Sequence, residues 1–152
     1  ILALTSLLST RNTLHPNLGL QQIIFVIHLV NQIGYNMKHI LFDLIDCPYD
    51  LLNEEEFIKD SLINASIVAK SKYLKVETHK FEPQGITGYA LLADSHMSIH
   101  TWPEKNIAKC DIFCCSDGAR PKEAVEYLHR RFKSQEVRRW VCDRSSKIIT
   151  VL

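Results

Sequence analysis

Between residues 91 and 104 the chain reads LLADSHMSIHTWPE. Asp94, Ser95 and His96 stand side by side there, with His100 and Glu104 just beyond, inside a run whose apolar residues suit a β-strand. The plainest reading is a strand edge with polar residues facing water. Three chemistries compete with it. A hydrolytic triad needs the serine hydroxyl on an imidazole and the imidazole on a carboxylate. Consecutive strand residues point to opposite faces, so Ser95 and His96 do not readily share a hydrogen bond, and no G-x-S-x-G turn surrounds the serine. A metal site from His96, His100 and Glu104 fails on reach, because strand residues four apart share a face but stand about 13 Å from each other. Backbone chemistry at Ser95 itself, in which the chain cuts its own peptide bond, is the third.

Any of these needs elements that hold the residues in place. KHILFDLI, residues 38–45, is an apolar run that predicts a buried strand, and CPYD breaks it. Asn53 is placed to cap a helix whose first turn carries Glu54, Glu55 and Glu56, where carboxylates complement the helix dipole. That helix runs to about Lys70 with Ile58, Leu62, Ala65 and Ala69 on one face. YLKVETHKF (73–81) alternates as a half-buried strand, Pro83-Gln84-Gly85 turns the chain, and ITGYALLA returns as the next strand. AKCDIFCC (108–115) is another strand, and Asp117-Gly118 makes a turn. Pro121 opens a helix to about Lys133 with Ala124, Leu128 and Phe132 on its core stripe. VRRWVCD and KIITVL close the chain as strands. Strand, helix, three strands, helix, strand predicts an α+β fold: a two-layer sandwich of an antiparallel sheet with helices on one face.

Composition narrows the class. The chain has 152 residues, 46% of them hydrophobic, enough for one cored domain and too few for two full ones. With 18 Lys and Arg against 17 Asp and Glu, no basic field points to a nucleic-acid partner. Arg130, Arg131, Arg138 and Arg139 cluster locally, as a solvated helix end and edge strand would. Five cysteines, none in a C-x-x-C pair, match no zinc spacing, so free thiols in a reducing cytoplasm are expected and no metal is. Cys114 and Cys115 point to opposite faces of their strand. Residues 1–36 hold one charged residue, Arg11, and their apolar run IIFVIHLV is too short to span a bilayer. The expected domain is therefore 37–152, with residues 1–36 as an upstream extension, non-native or disordered; a membrane anchor is the alternative reading of that segment.

MKHILFDLIDCPYDLL, GITGYALLADSHMSIHTWPE and CDIFCC resemble the bacterial and archaeal S-adenosylmethionine decarboxylase proenzymes, pyruvoyl-dependent enzymes of spermidine synthesis. The likeness runs from about Met37 to Lys133. It implies that Ser95 attacks the Asp94 carbonyl, that the resulting ester eliminates, and that residue 95 becomes a pyruvoyl group, the cofactor that forms a Schiff base with the substrate amine. It further implies that His100 is the processing base, that Thr87 supplies a hydroxyl to the acyl shift where many relatives have Ser, and that Cys115 is the proton donor. Cys114 would then be a core residue. Glu104 is carried over as the carboxylate for the ribose hydroxyls and Phe81 as the aromatic face for the nucleoside, a role that cation–π attraction to a sulfonium would suit. Trp102 is expected to pack, and His39 and His96 carry no assigned step. Asp94 departs from the family's usual Glu; because the attack is on its backbone, cleavage should survive.

The resemblance also implies a homodimer of cleaved protomers, which covers the sheet face that lacks helices. It implies S-adenosylmethionine as substrate, a cytoplasmic location, and no nucleic-acid or membrane partner. A pyruvoyl decarboxylase for arginine or ornithine is the alternative within the same chemistry. An inactive regulatory paralogue is the other, though such a partner would lack the serine or the proton donor that this chain keeps.

Overall fold

The computed structural model describes residues 38–116 and 118–144. Six strands form one antiparallel sheet: β1 (Lys38–Ile45), β2 (Tyr73–Lys80), β3 (Ile86–Leu92), β4 (His96–Trp102), β5 (Ile107–Cys114) and β6 (Glu136–Asp143), in the spatial order β2-β3-β4-β5-β1-β6. Three helices accompany them, α1 (Tyr49–Leu52), α2 (Glu55–Val68) and α3 (Pro121–Arg131), with a 3-10 turn at Pro103–Lys105. This is the α+β sandwich expected from the pattern, with four strands rather than three between the long helices, because the SHMSIHTW segment itself forms β4.

Alternation along each strand decides which face is covered. Ile40, Phe42 and Leu44 of β1, Ile86, Ala90 and Leu92 of β3, Met97 and Ile99 of β4, and Ala108 and Ile112 of β5 are all buried on the helix side. From the helices, Ile58, Leu62, Ala65 and Ala69 meet them together with Ala124, Leu128 and Phe132, as the 3.6-residue spacing predicts. Phe57 and Phe132 meet edge to face at 5.1 Å, and the Arg131 guanidinium lies 4.5 Å over the Phe57 ring. Gly88 lets α2 approach β3: a Cβ there would stand 2.9 Å from Leu62 Cδ1 and 3.1 Å from Ile58 Cγ2. Two serines on α2 are buried without penalty because each donates to the carbonyl four residues back, Ser61 to Phe57 at 2.6 Å and Ser66 to Leu62 at 2.8 Å.

Several local expectations change. Asn53 does not cap α2; Glu54 holds that position, and the Asn53 Oδ1 instead accepts the Gly85 N–H at 3.1 Å, tying the helix start to the entry of β3. CPYD does not simply break the chain, since α1 begins at Tyr49. β2 is an edge strand with only Val76 and Thr78 partly buried, although α2 packs against it as well as against β3. The expected strand KIITVL, the extension 1–36 and Asp117 lie outside the described residues. Among the described residues, no helix is long and apolar enough to cross a membrane.

Candidate active site

β3 and β4 form the hairpin that carries most of the candidate residues. Its register pairs Thr87 with His100, Tyr89 with Ser98, and Leu91 with His96. Ser95 therefore sits in the turn, not in mid-strand, and Asp94 beside it is exposed. The Leu92 N–H donates to the Ser95 carbonyl at 3.0 Å, and the Ser95 N–H donates to the Leu92 carbonyl at 3.5 Å. The Ser95 Oγ is buried and has no hydrogen-bond partner among the described residues. A buried hydroxyl left without a partner costs about 1–3 kcal/mol, so a stabilising role does not explain it. At the same end of the sheet, β5 finishes with Cys114 in the core, its thiol pushed up by burial and by the neighbouring Asp94 and Cys115 carrying like charge. Cys115 follows just past the strand, half-buried.

Thr87 and His100 occupy the other end of the same hairpin, with Thr87 Oγ1 and His100 Nδ1 2.9 Å apart. They border a cleft of about 420 Å³ that also takes in Phe81, Gln84, Trp102 and Glu104. The Gln84 Nε2 donates to Glu104 Oε2 at 3.3 Å, and Phe81 is 46% exposed, its ring meeting that of His79 edge to face at 4.7 Å. His100 lies five residue steps beyond Ser95, roughly 16 Å along the strand. The structure thus collects Thr87, His100, Glu104 and Phe81 in one place and Asp94, Ser95 and Cys115 in another, and within one chain it does not bring the two groups together.

The family model described as S-adenosylmethionine decarboxylase matches residues 38–145. The chain belongs to the S-adenosylmethionine decarboxylase family. It is 46% identical over 93 residues to the S-adenosylmethionine decarboxylase proenzyme of Prochlorococcus marinus (strain MIT 9313), a match covering 61% of this chain and 74% of that one. It is 34% identical over 117 residues to the proenzyme of Thermoanaerobacter sp. (strain X514), covering 74% and 94%. Among solved structures it resembles the adenosylmethionine decarboxylase from Aquifex aeolicus VF5 with a TM-score of 0.68 and 30% identity, over 77% of this chain and 98% of that one.

Against this family background, one cluster stands out that the sequence pattern did not single out. His39 on β1 and His96 on β4 both pair across β5 with Phe113, one from each side. Both imidazoles lean toward Asp111, two residues along β5 on the same face. His39 Nε2 lies 2.9 Å and His96 Nε2 3.1 Å from Asp111 Oδ2, while the Ser98 hydroxyl donates to Asp111 Oδ1. Burial raises the Asp111 pKa, but the hydrogen bonds from Ser98 and His39 and the nearness of His96 outweigh it and hold the carboxyl below its ordinary value. These are metal-ligating residue types, with ligand atoms within 4.8 Å of one another. The carboxylate already has three partners, however, so the cluster is complete as a hydrogen-bonded network. His96, set aside above for a metal with His100 and Glu104, thus belongs with His39 and Asp111. Trp102, expected only to pack, lines the cleft with its ring 6.2 Å from that of His100.

Proposed function

We propose that this chain cleaves itself between Asp94 and Ser95 and uses the pyruvoyl group so formed to decarboxylate S-adenosylmethionine. The observation that carries the reading is the Ser95 hydroxyl: buried, unpartnered, in a turn immediately after the peptide bond to be cut. Ser95 Oγ adds to the Asp94 carbonyl carbon through a five-membered ring, the C–N bond breaks, and the hydroxyl proton passes to the freed nitrogen. Removal of the Ser95 α-hydrogen then breaks the Cβ–Oγ bond, and Asp94 keeps that oxygen as a carboxylate. One water replaces the nitrogen, which leaves as ammonia. The pyruvoyl group supplies a carbonyl that takes up the substrate amine and draws off the electron pair left when carbon dioxide departs.

His100 is the base in this scheme. Its Nδ1 faces the Thr87 hydroxyl, which fixes the ring and leaves Nε2 for the proton. The roughly 16 Å between Ser95 and His100 along β4 means that a second copy must present its own Thr87–His100 end. The sheet face that no helix among the described residues covers supports that arrangement. It exposes Leu41, Tyr89, Leu91 and Trp140, each at least 40% accessible, an apolar surface suited to a homodimer. In the assembled site Cys115, half-buried just past β5 at the Ser95 end of the sheet, returns a proton to the substrate α-carbon. Glu104 accepts from the ribose hydroxyls, and the faces of Phe81 and Trp102 take the adenine and the sulfonium. The decarboxylated product is the aminopropyl donor for spermidine synthesis. The names of the matched relatives favour this substrate over arginine or ornithine, and Ser95, His100 and Cys115 are all present, against an inactive paralogue. A domain beginning near Met37 and a cytoplasmic location belong to the same proposal, the latter supported by five free thiols.

Intact mass under denaturing conditions tests the reading. Residues 95–152 are 58 of 152, about 6.7 kDa of the 17.5 kDa chain. A fragment of that mass, with an N-terminus that resists Edman degradation until treated with an amine and a reductant, is the expected result. A chain that stays whole, alone and with substrate, refutes it.

A further inference from the structure

We infer that His96 and Asp111 are positioning residues: with His39 and Ser98 behind them, they clamp the first residue of the new chain so that the reactive carbonyl at position 95 does not fray. The inference rests on the self-cleavage just proposed. Before the cut, residue 95 is held by two peptide links and by both hydrogen bonds of the turn. Cleavage removes the link to Asp94. Loss of the Ser95 nitrogen as ammonia removes the hydrogen bond it donated to Leu92. What remains is the Leu92 N–H on the residue-95 carbonyl and the peptide link to His96. Residue 95 becomes a chain end, and chain ends are mobile unless something ties them down.

His96 is that tie. It is the first residue of β4 and its side chain touches three other strands. Its Nε2 meets Asp111 on β5, its ring stacks on Tyr89 of β3 with centroids 6.0 Å apart and planes 21° apart, and its edge meets His39 of β1. Asp111 is in turn fixed by Ser98 and His39, so the carboxylate cannot swing away from His96. The arrangement exceeds what packing needs. A half-exposed sheet face beside Phe113 would be covered as well by leucine, whereas this one assembles a carboxylate and three donors around the residue next to the reactive atom. A displacement of about 1 Å at a reacting centre lowers the rate by about 100-fold, so a tether at the adjacent residue has a catalytic consequence.

The test uses the full chain as wild type, His96→Leu, His96→Gln and Asp111→Asn. Cleavage is followed by intact mass, fold by circular dichroism, mobility by amide hydrogen exchange across residues 96–102 of the cleaved protein, and turnover by carbon dioxide release. His96→Leu and Asp111→Asn should cut themselves and fold. Each should show faster exchange at the start of β4 and a kcat lowered by about 10- to 100-fold with KM little changed. His96→Gln, which keeps a donor for Asp111, should recover most of kcat and of the protection. Wild-type exchange and kcat in both His96→Leu and Asp111→Asn would overturn the inference. So would a raised KM at unchanged kcat, which would make the network a substrate contact, or a complete block of cleavage, which would assign it to the cut. Should His96→Leu fail to fold, Asp111→Asn and His96→Gln decide alone. An uncut wild-type chain is the separate result that would remove the pyruvoyl reading itself.

Discussion

If the base for Ser95 comes from a second copy, two inactive variants should repair each other. Ser95→Ala has no nucleophile but presents an intact Thr87–His100 pair; His100→Ala has the nucleophile but no base. The geometry that forces this is the β3–β4 register: Leu91 pairs with His96 beside the turn, Thr87 with His100 at the far end, and roughly 16 Å of extended strand lies between Ser95 and the imidazole. No rotamer of His100 bridges that distance. Loss of a general base lowers a rate by about 100- to 10,000-fold, so each variant alone should remain essentially uncut over hours. Co-expressed in equal amounts, a two-fold dimer places about half of the His100→Ala chains opposite a Ser95→Ala partner, so about a quarter of all chains should be cut. Intact mass reads this directly, because the uncut His100→Ala and Ser95→Ala chains differ in mass and only the former can yield the 58-residue fragment. Absence of the fragment from the mixed pool, with the wild type cut normally, would refute the shared site. Cleavage of His100→Ala by itself at the wild-type rate would refute His100 as the base.

Cys115→Ala should still cut itself but lose about 100-fold or more in carbon dioxide release, since the cysteine's proposed proton transfer follows processing; the two rates are read on one preparation. Thiol labelling should separate the cysteines by environment. Burial with Asp46 nearby pushes Cys47 up to about 12, and burial raises Cys110 and Cys114, so native protein should modify only at Cys115 and Cys142 until it is unfolded. Gly88→Ala drives a Cβ against Leu62, Ile99 and Ile58 at 2.9–3.1 Å and should cost about 1–3 kcal/mol, seen as a lowered urea midpoint. Asp111 gives a pH signature. Its folded pKa lies below the unfolded value of about 3.9, so its stabilisation is full above that pH and lost as pH falls through the folded value. The gap in denaturation midpoint between wild type and Asp111→Asn should therefore be widest near neutral pH and narrow in acid.

What could be read from the chain follows from which interactions are local. The helix stripes Ile58-Leu62-Ala65-Ala69 and Ala124-Leu128-Phe132, and the alternation in β1, β3 and β5, are one-dimensional patterns, and the buried residues follow them. Asn53 misled because a side-chain acceptor near a helix start has two uses, and here the Gly85 N–H takes it. Apolar residues on both sides of Ser95 suggest a mid-strand position; only the pairing of Leu91 with His96 shows that the chain reverses there. That same pairing shapes the proposed chemistry. Residue spacing makes Ser95 and His100 look like neighbours, whereas the register puts them at opposite ends of a hairpin. The converse holds for His39, His96 and Asp111, which are 72 and 15 residues from one another in sequence and meet because β1 and β4 both flank β5. Nothing in the local pattern joins the three, since each is one of several polar residues on the uncovered side of its strand. Their meeting is a property of strand order. A family resemblance can therefore point to the residues proposed to react while saying nothing of those proposed to hold them still, and in this sheet one of the second group, His96, sits one peptide bond from Ser95.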